Sequence, residues 1–417
     1  MNEKFTQYFQ EQGFKEPTLI QKEVYPLLQA GKNVLGLAPT GSGKTLAYAL
    51  PLLEKLLPKD GPQLLIIAPS QELAAQIAAV IRPWGKLLEL NTQALIGGAN
   101  VKRQIEKLKQ RPEVIVGTPG RLLNLVETKK LKLHNLEAIV IDEADELLSQ
   151  EETREDCRKL VSCAKADVNL SFFSATKTQV LDELHRWFGI EVAVCDVRQQ
   201  DHTRGVVDHY LVEVPQRKRV EALRKLAQVD GFYALVFFKQ SAELKDTYEK
   251  LVHHQVPVAR LVSDQRQVER QKALTSLKKR TVRLVLTTDV ACRGLDIEKL
   301  PAVVNFDLPR DVNTYIHRVG RTGRMGEKGL VVNLGNEHDL RKFKQLAAGE
   351  NFDFKPGFIY NKQLVADKAQ AQMDQPERKV KKQAPKVQNE PVPKAKKHKK
   401  KRQRDQKNKG KRKVKKS

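Results

Sequence analysis

The chain contains 417 residues, of which 40% are hydrophobic and 30% are charged, and its formal net charge is +25. This length is too great for one hydrophobic core and fits two domains plus an additional segment, while the composition excludes a fibrous protein. No apolar run approaches the roughly 18 residues needed to cross a bilayer, and the polar N-terminus is not a signal peptide. We therefore expect a cytoplasmic protein without a membrane partner.

Short apolar runs alternate with helix-like stretches along the chain. Runs rich in Val, Ile and Leu lie at 33–38, 63–69, 113–119, 138–145 and 170–176, and a second series lies at 234–238, 258–263, 282–289, 302–307 and 329–334. This alternation predicts βαβ units around parallel sheets that are buried on both faces, with ligands at the carboxyl ends of the strands. The sequence therefore predicts two α/β domains, at 1–198 and 207–355, joined by a polar linker at 199–206.

The last segment, residues 356–417, is predicted to be a disordered basic tail. Residues 365–417 contain 21 Lys and Arg against 5 Asp and Glu, a net charge of +16, whereas the preceding 364 residues carry +9. The tail lacks the apolar periodicity of a segment that packs into a core. A basic tail binds polyanions, and nucleic acid is the leading candidate.

The cysteines indicate neither a disulfide framework nor a zinc site. They are scattered and include no C-x-x-C pair. We expect buried reduced thiols at all four positions, which are Cys157, Cys163, Cys195 and Cys292.

A candidate phosphate-binding loop, APTGSGKT, follows the first apolar run and precedes a helix-like stretch. Gly41 and Gly43 allow the backbone to curl so that its N–H groups face a phosphate at the positive end of a helix. Lys44 would reach the β- and γ-phosphates, and the hydroxyl of Thr45 would bind Mg²⁺. A flexible turn is the alternative. The predicted nucleotide-binding residues of this loop are Ala38, Pro39, Thr40, Gly41, Ser42, Gly43, Lys44 and Thr45, with Ala38 where the usual pattern has glycine.

A cluster of acidic residues ends the fourth apolar run, in AIVIDEAD at 138–145. An acid at the end of a buried strand, beside a phosphate-binding loop, holds Mg²⁺ and its water, so Asp142 is the predicted metal ligand together with Thr45. The neighbouring Glu143 is then the predicted general base that polarises the attacking water. Acids that merely cap a helix are the alternative.

These motifs resemble the DEAD-box RNA helicases of superfamily 2, of the bacterial type. DEAD (142–145), SAT (174–176) and HRVGRTGR (317–324) carry the resemblance, which extends over 13–335 in the family's order and spacing. It implies two RecA-like domains in tandem and an RNA-stimulated hydrolysis of ATP, with Mg²⁺, that clamps and bends one RNA strand and separates short duplexes. Single-stranded RNA and short duplexes are the implied partners, ribosomal particles and RNA-degrading complexes are further candidates, and we expect a monomer.

The resemblance also implies roles for single residues. Phe14 and Gln21, in GFKEPTLIQ (13–21), would bind the nucleotide, and Gln21 suits the N6 and N7 atoms of adenine, which favours ATP over GTP. Asp296 would contact the ribose. Arg321 and Arg324, three residues apart and hence on one helix face, would point from the second domain at the γ-phosphate. The residues implied to couple hydrolysis to domain movement are Asp145, Ser174, Thr176 and His317. Those implied to bind RNA are Gly97, Gly98, Thr118, Pro119, Gly120, Arg121, Gln267, Arg270, Thr288 and Asp289.

Two departures from the family pattern predict weaker contacts. PSQELA (69–74) replaces the usual PTRELA, so Gln71 stands where an arginine would lean on an RNA phosphate. The segment before residue 13 is too short for the family's isolated upstream aromatic residue, for which either Phe5 or Phe9 substitutes or no residue does. We therefore expect a reduced grip on RNA and weaker ATP binding than in relatives.

Two other functions use parts of the same pattern. A DNA translocase shares the core motifs, although the adenine-reading glutamine and DEAD argue against it. A non-catalytic RNA-binding or annealing protein would not keep every chemical group of the site intact, as this chain does at Lys44, Thr45, Asp142, Glu143, Arg321 and Arg324. The sequence does not identify the RNA or the process that is served.

Overall fold

Two seven-stranded parallel sheets organise the protein in this computed structural model, which describes residues 1–97, 101–201, 203, 205–262, 265–292, 300–323, 326–350 and 352–367. The strands of the first sheet are β1 (Val34–Leu37), β2 (Leu64–Ile67), β3 (Thr92–Leu95), β4 (Val114–Gly117), β5 (Ala138–Asp142), β6 (Asn169–Ser174) and β7 (Ala193–Asp196). Their spatial order is β3-β4-β2-β5-β6-β1-β7. The second sheet contains β8 (Val207–Glu213), β9 (Ala234–Phe238), β10 (Val258–Leu261), β11 (Leu284–Thr288), β12 (Ala302–Asn305), β13 (Gly329–Gly335) and β14 (Phe354–Pro356). Its order is β10-β11-β9-β12-β13-β8-β14.

Helices connect the strands and cover the sheets. Those of the first domain are α1 (Glu3–Glu11), α2 (Leu19–Gln29), α3 (Lys44–Leu53), α4 (Gln71–Leu87), α5 (Val101–Leu108), α6 (Pro119–Glu127), α7 (Ala144–Ser149), α8 (Glu151–Ser162), α9 (Gln179–Asp182) and α10 (Leu184–Phe188). Those of the second are a 3₁₀ turn (Gln216–Lys218), α11 (Arg219–Leu226), α12 (Ser241–His253), α13 (Gln267–Lys278), α14 (Asp289–Cys292), α15 (Val312–Val319) and α16 (Glu337–Leu346).

The central strands are apolar along their whole length because helices cover both of their faces. β1, β2, β4 and β5 are buried at every position, and each sheet separates two hydrophobic clusters. Such strands read as continuous Val, Ile and Leu runs. Because the strands of each sheet are parallel, the loops that follow them gather at the carboxyl ends of the strands, where the predicted motifs lie.

The folded part of the second domain extends past residue 355, where we predicted the tail to begin. β14 pairs with β8, and an antiparallel hairpin of β15 (Phe358–Tyr360) and β16 (Gln363–Val365) follows. Ile359 and Leu364 pack against the core of this domain. The prediction was wrong for 356–365 because these strands are only three residues long and show no period. The rest of the predicted tail, 368–417, lies outside the described residues.

Two smaller expectations can be compared with the structure. Cys157, Cys195 and Cys292 are buried and are not in disulfides, but Cys163, just after the end of α8, is exposed, so the expectation of burial was wrong there. Within the described ranges, no helix is both long and apolar enough to span a bilayer.

Candidate nucleotide site and its contacts with the second domain

The loop between β1 and α3 curls around the N-terminus of α3. Gly41 and Gly43 have φ angles of +86° and +85°, which favour glycine. A Cβ atom on Gly43 would also lie 2.6 Å from Nε2 of Gln21, so this position requires glycine for space as well. The loop therefore presents the free N–H groups of a helix start, which bind anions.

Buried polar side chains of this loop can bind a polyanion. Lys44 is 8% exposed, and its Nζ donates to the carbonyl oxygens of Ala38 (2.9 Å) and Pro39 (3.3 Å). The buried hydroxyls of Thr40 and Ser42 have no hydrogen-bond partner among the described residues. Unpaired buried polar groups are costly, and phosphate oxygens would satisfy them.

Gln21 lies against the loop and is already bonded on both sides of its amide. Its Oε1 accepts from the N–H of Thr18 (3.0 Å), and its Nε2 donates to the carbonyl of Gly43 (3.2 Å). A primary amide has a second N–H and a second lone pair, so capacity for adenine remains.

The aromatic residues near the N-terminus divide into one exposed ring and two core residues. Phe14 is 39% exposed and contacts Phe9 with ring centroids 4.9 Å apart. Phe5 and Phe9 themselves are buried and pack on Trp84. Neither buried ring is free to replace the family's upstream aromatic residue, which leaves Phe14 as the ring available to a nucleotide.

The acidic box lies directly after β5, beside the loop. One oxygen of Asp142 accepts from the hydroxyl of Tyr48 (3.0 Å) and the other from the N–H of Glu143 (2.9 Å). Glu143 has a φ of +48°, uncommon outside glycine, and its buried Oε2 has no partner among the described residues. Backbone strain of this kind is found at functional sites.

The donor set at this point fits Mg²⁺. Burial first, and then the charge of Glu143, raises the pKa of Asp142 to about 6. Mg²⁺ prefers oxygen ligands, and the carboxylate of Asp142 and the hydroxyl of Thr45 provide them.

Asp145 joins the two domains through one carboxylate oxygen. Its Oδ2 accepts from the hydroxyl of Thr176 and from Nε2 of His317 on α15, the latter at 2.7 Å. The hydroxyl of Ser174 bonds the backbone carbonyl of Thr176 (2.7 Å) and so fixes the SAT turn. Burial opposes the charged forms, but the mutual hydrogen bond and charge raise the pKa of His317 and lower that of Asp145.

Two further contacts cross between the domains. Arg270 on α13 binds Glu72 on α4 at 2.6–2.8 Å, and it also donates to two carbonyl oxygens of its own domain. At the other end of the cleft, Gly320 lies so close to the phosphate-binding loop that its Cβ, if present, would be 2.1 Å from Oγ1 of Thr40. The end of α15 therefore rests on the nucleotide loop, and the next residue, Arg321, is 9% exposed.

Arg318, in the same motif, is used inside the second domain. Its guanidinium binds both carboxylate oxygens of Asp289 at 2.6 and 2.7 Å, bonds Asn305 at 2.8 Å and stacks over Phe237. Asp289, which we expected near RNA, is therefore occupied by this arginine. The neighbouring Thr288 accepts the N–H of Ala291 through its hydroxyl.

The predicted RNA-binding residues of the first domain lie at the carboxyl ends of β3 and β4. Thr118 caps α6 with Pro119 as the first helical residue, and Gly120 in the first turn is exposed. Arg121 has two buried guanidinium nitrogens without a partner among the described residues. Gly97 contacts Gln71, whose Nε2 would be 2.8 Å from a Cβ there.

Comparison with known proteins decides the family. Residues 18–184 match the DEAD/DEAH box helicase family, and residues 218–326 match the helicase conserved C-terminal domain. The probable ATP-dependent RNA helicase YfmL of Bacillus subtilis is 42% identical over 336 residues, which cover 80% of this chain and 89% of that protein. The chain belongs to the DEAD-box family of ATP-dependent RNA helicases.

Other DEAD-box helicases support the assignment. CshC of Bacillus cereus is 36% identical over 358 residues, covering 86% of this chain and 90% of that protein. The structure of S. cerevisiae Dbp5 bound to RNA and ADP BeF3 aligns with a TM-score of 0.77 at 26% identity, covering 85% of this chain and 94% of that one. The predicted RecA-like fold and the predicted class, an RNA-stimulated ATPase and ATP-dependent RNA helicase, are confirmed, and the DNA translocase and the non-catalytic protein are disfavoured.

Not every predicted site residue of this DEAD-box helicase can be located. Gly98, Asp296, Arg324 and the side chain of Gln267 lie outside the described residues. Three residues of the site were not predicted from the sequence. Tyr48 bonds Asp142, Glu72 bonds Arg270, and Gly320 lies against Thr40. The acid of PSQELA was visible in the sequence, but its pairing with a residue of the other domain was not.

Proposed function

We propose that this DEAD-box helicase closes its two domains over ATP and RNA, clamps and bends one RNA strand, and reopens after hydrolysis. The observation that carries the proposal is the shared oxygen of Asp145, which joins the SAT turn of the first domain to His317 of the second. A change at the acidic box can thereby reach both domains.

In this mechanism the first domain binds the nucleotide. Lys44 and the N–H groups at the start of α3 hold the phosphates, and Gln21 and Phe14 hold the adenine. Asp142 and Thr45 would hold Mg²⁺, which when bound neutralises charge on the phosphates. Glu143 takes a proton from the attacking water as the general base.

The second domain completes the site on closure. Gly320 seats α15 on the phosphate-binding loop, and Arg321 and Arg324 stabilise the charge that develops on the γ-phosphate. Arginine fingers contribute on the order of 10³–10⁵ in rate in GTPases. Because these arginines belong to the other domain, hydrolysis waits for closure, and closure waits for RNA.

RNA contacts come from both domains. In the first, Thr118, Gly120 and Arg121 offer a helix start and a guanidinium to RNA phosphates. In the second, Thr288 and the start of α13 face the same strand, and Arg270 supports it through its bond to Glu72. We further propose a cytoplasmic monomer whose basic tail tethers RNA by its phosphates.

A direct test compares ATP turnover by the full chain with RNA, with DNA of the same sequence and with no nucleic acid. We expect strong stimulation by RNA alone, and ATP-dependent separation of a short RNA duplex. Equal stimulation by DNA would favour a translocase, and RNA annealing without any ATP turnover would favour a non-catalytic protein.

A further inference from the structure

A groove follows the free edge of the first sheet, away from the nucleotide site. The edge strand β3 pairs with β4 on one side and forms its floor. The last turns of α4 and the outer face of α5 form its walls, and its volume is about 600 Å³. We call it the edge groove.

Both walls of the edge groove are cationic. Arg82 and Lys86 line it from α4, and Arg103 and Lys107 line it from α5. Each pair is spaced by four residues, so its members lie on one helix face. All four side chains are exposed, and none of the described residues that line the groove is acidic.

Two acids of the neighbouring segments are engaged elsewhere. Glu106 pairs with Lys109 at 2.8 Å, and the carboxylate of Glu113 accepts the backbone N–H groups of Lys59 and Asn91. The groove therefore keeps a positive potential that attracts an anionic chain.

The floor of the edge groove carries buried acceptors without donors. Gln93 and Gln104 are 7% and 8% exposed, and both line the groove. Their Nε2 atoms donate to the carbonyls of Gln104 (2.9 Å) and Ile96 (2.8 Å), which fixes both amides. The two Oε1 atoms and the hydroxyl of Thr92 have no partner among the described residues. Such atoms call for a ligand that brings hydrogen-bond donors as well as negative charge.

The floor strand of the edge groove leads toward the predicted RNA site. β3 ends at Leu95, and two residues later Gly97 begins the predicted RNA-binding pair. The four residues of β3 give the groove a length of about 13 Å. An RNA strand that leaves the cleft at Gly97 can therefore enter the edge groove.

We propose that the edge groove binds the single-stranded RNA that extends beyond the cleft. The four cations contact its phosphates, and the unpaired oxygens of Thr92, Gln93 and Gln104 accept from 2′-hydroxyls or base N–H groups. This inference rests on the proposed RNA function. RNA is favoured over an acidic peptide paired with β3 because this strand leads from the groove to Gly97 of the predicted RNA-binding pair.

The experiment measures RNA affinity of the full chain across a salt series. The probes are a short RNA of about 6 nucleotides and two RNAs of about 14, one extended at the 5′ end and one at the 3′ end. The test variant is Lys86→Gln with Lys107→Gln. The matched control is Lys130→Gln with Lys132→Gln, which removes the same charge from exposed lysines of the same domain.

We expect the test variant to bind the short RNA normally and to respond less to one of the two extensions. Two lost phosphate contacts flatten the salt slope by about 1.4, so between ~50 and ~200 mM salt the parent chain loses about seven-fold more affinity than the variant. The control should match the parent chain.

The proposal is overturned if the test variant and the control give equal slopes on both extended RNAs, or if the loss is as large on the short RNA. An acidic peptide that binds the parent chain but not the test variant, with RNA binding unchanged, would overturn it in favour of a protein partner. A chain whose ATPase ignores every RNA would instead refute the proposed function.

Discussion

The nucleotide pocket and the contacts between the domains are built in different ways. In the pocket, Lys44 bonds Ala38 only six residues away, and the loop is shaped by its own glycines. Between the domains, Asp145 meets His317 across 172 positions, and Glu72 meets Arg270 across 198. The phosphate-binding loop is therefore shaped within the first domain alone, whereas the contacts exist only when the domains are together. Binding and hydrolysis should respond differently to mutation.

The largest effect should follow from breaking the pocket. Lys44→Ala removes the phosphate cation and its two bonds to loop carbonyls but no apolar packing, so we expect ATP turnover to fall by about 10³-fold or more while the protein stays folded. Steady-state ATPase assays and circular dichroism melting check this. Normal ATP turnover by the folded variant would show that this loop does not bind the phosphates of ATP.

Replacing the general base should slow hydrolysis without preventing closure of the domains. Glu143→Gln keeps Asp142 and the contacts between the domains, so the closed state should form and persist. We expect hydrolysis to slow by about 10²–10⁴-fold while RNA dissociates more slowly in the presence of ATP. Stopped-flow release of labelled RNA measures this, and release as fast as from the parent chain would argue against Glu143 as the base.

A methyl group at Gly320 should act on closure alone. Gly320 has φ −61° and ψ −2°, which alanine adopts without strain, but the added Cβ collides with Thr40 of the other domain. We expect Gly320→Ala to lower RNA-stimulated kcat by about 10²-fold, because the arginine finger that approaches with it is displaced. Its nucleotide affinity without RNA, from titration with a fluorescent ATP analogue, should match that of the parent chain.

The ion pair on the RNA side should contribute less. Glu72 and Arg270 are partly exposed, so Glu72→Gln should weaken closure by about 1 kcal/mol, or about five-fold in the RNA concentration that half-saturates the ATPase. Asp246→Asn, which breaks the exposed pair with Lys250, is the matched control and should have no effect. Equal RNA dependence of the two variants would show that the ion pair between Glu72 and Arg270 does not contribute to closure.

The smallest expected effect is a pH dependence of closure. The pKa of His317 is raised in the closed state, so its contribution is present below its ordinary value of 6.5 and is lost as pH rises through the raised pKa. The pKa of Asp145 is lowered, so its contribution is present above 3.8 and is lost as pH falls further. Interdomain fluorescence energy transfer with RNA and a non-hydrolysable ATP analogue should thus decline as pH rises above 6.5. His317→Gln should flatten that decline, and an unchanged profile would count against the pair.

The sequence predicted ten of the fourteen strands described in the two sheets and missed β3, β7, β8 and β14. Nine of the ten predicted strands lie inside a sheet, where cover on both faces favours Val, Ile and Leu, and the tenth is the edge strand β10. β3 and β7 were missed because edge strands mix buried and exposed positions and are as short as four residues. β8 was missed for its mixed polarity.

In the site, the local motifs could be predicted from the sequence, but the contacts between distant residues could not. The loop at 38–45 and the acidic box could be recognised because their chemistry is contained in one short segment. The pairing of Arg318 with Asp289, and of Arg270 with Glu72, depends on how distant segments meet, and local patterns carry no information about that. Gly320 looked like an ordinary glycine until its distance to Thr40 was known.

In the proposed mechanism, hydrolysis requires the end of α15 to rest on the nucleotide loop. The most direct test places a donor and an acceptor dye on the two domains and records energy transfer and ATP turnover in the same samples, with ATP and RNA. We expect Glu143→Gln to stay closed and to hydrolyse ATP slowly, whereas Gly320→Ala should stay open and hydrolyse ATP slowly. A Gly320→Ala protein that stays open and yet hydrolyses ATP at the parent rate would contradict this mechanism.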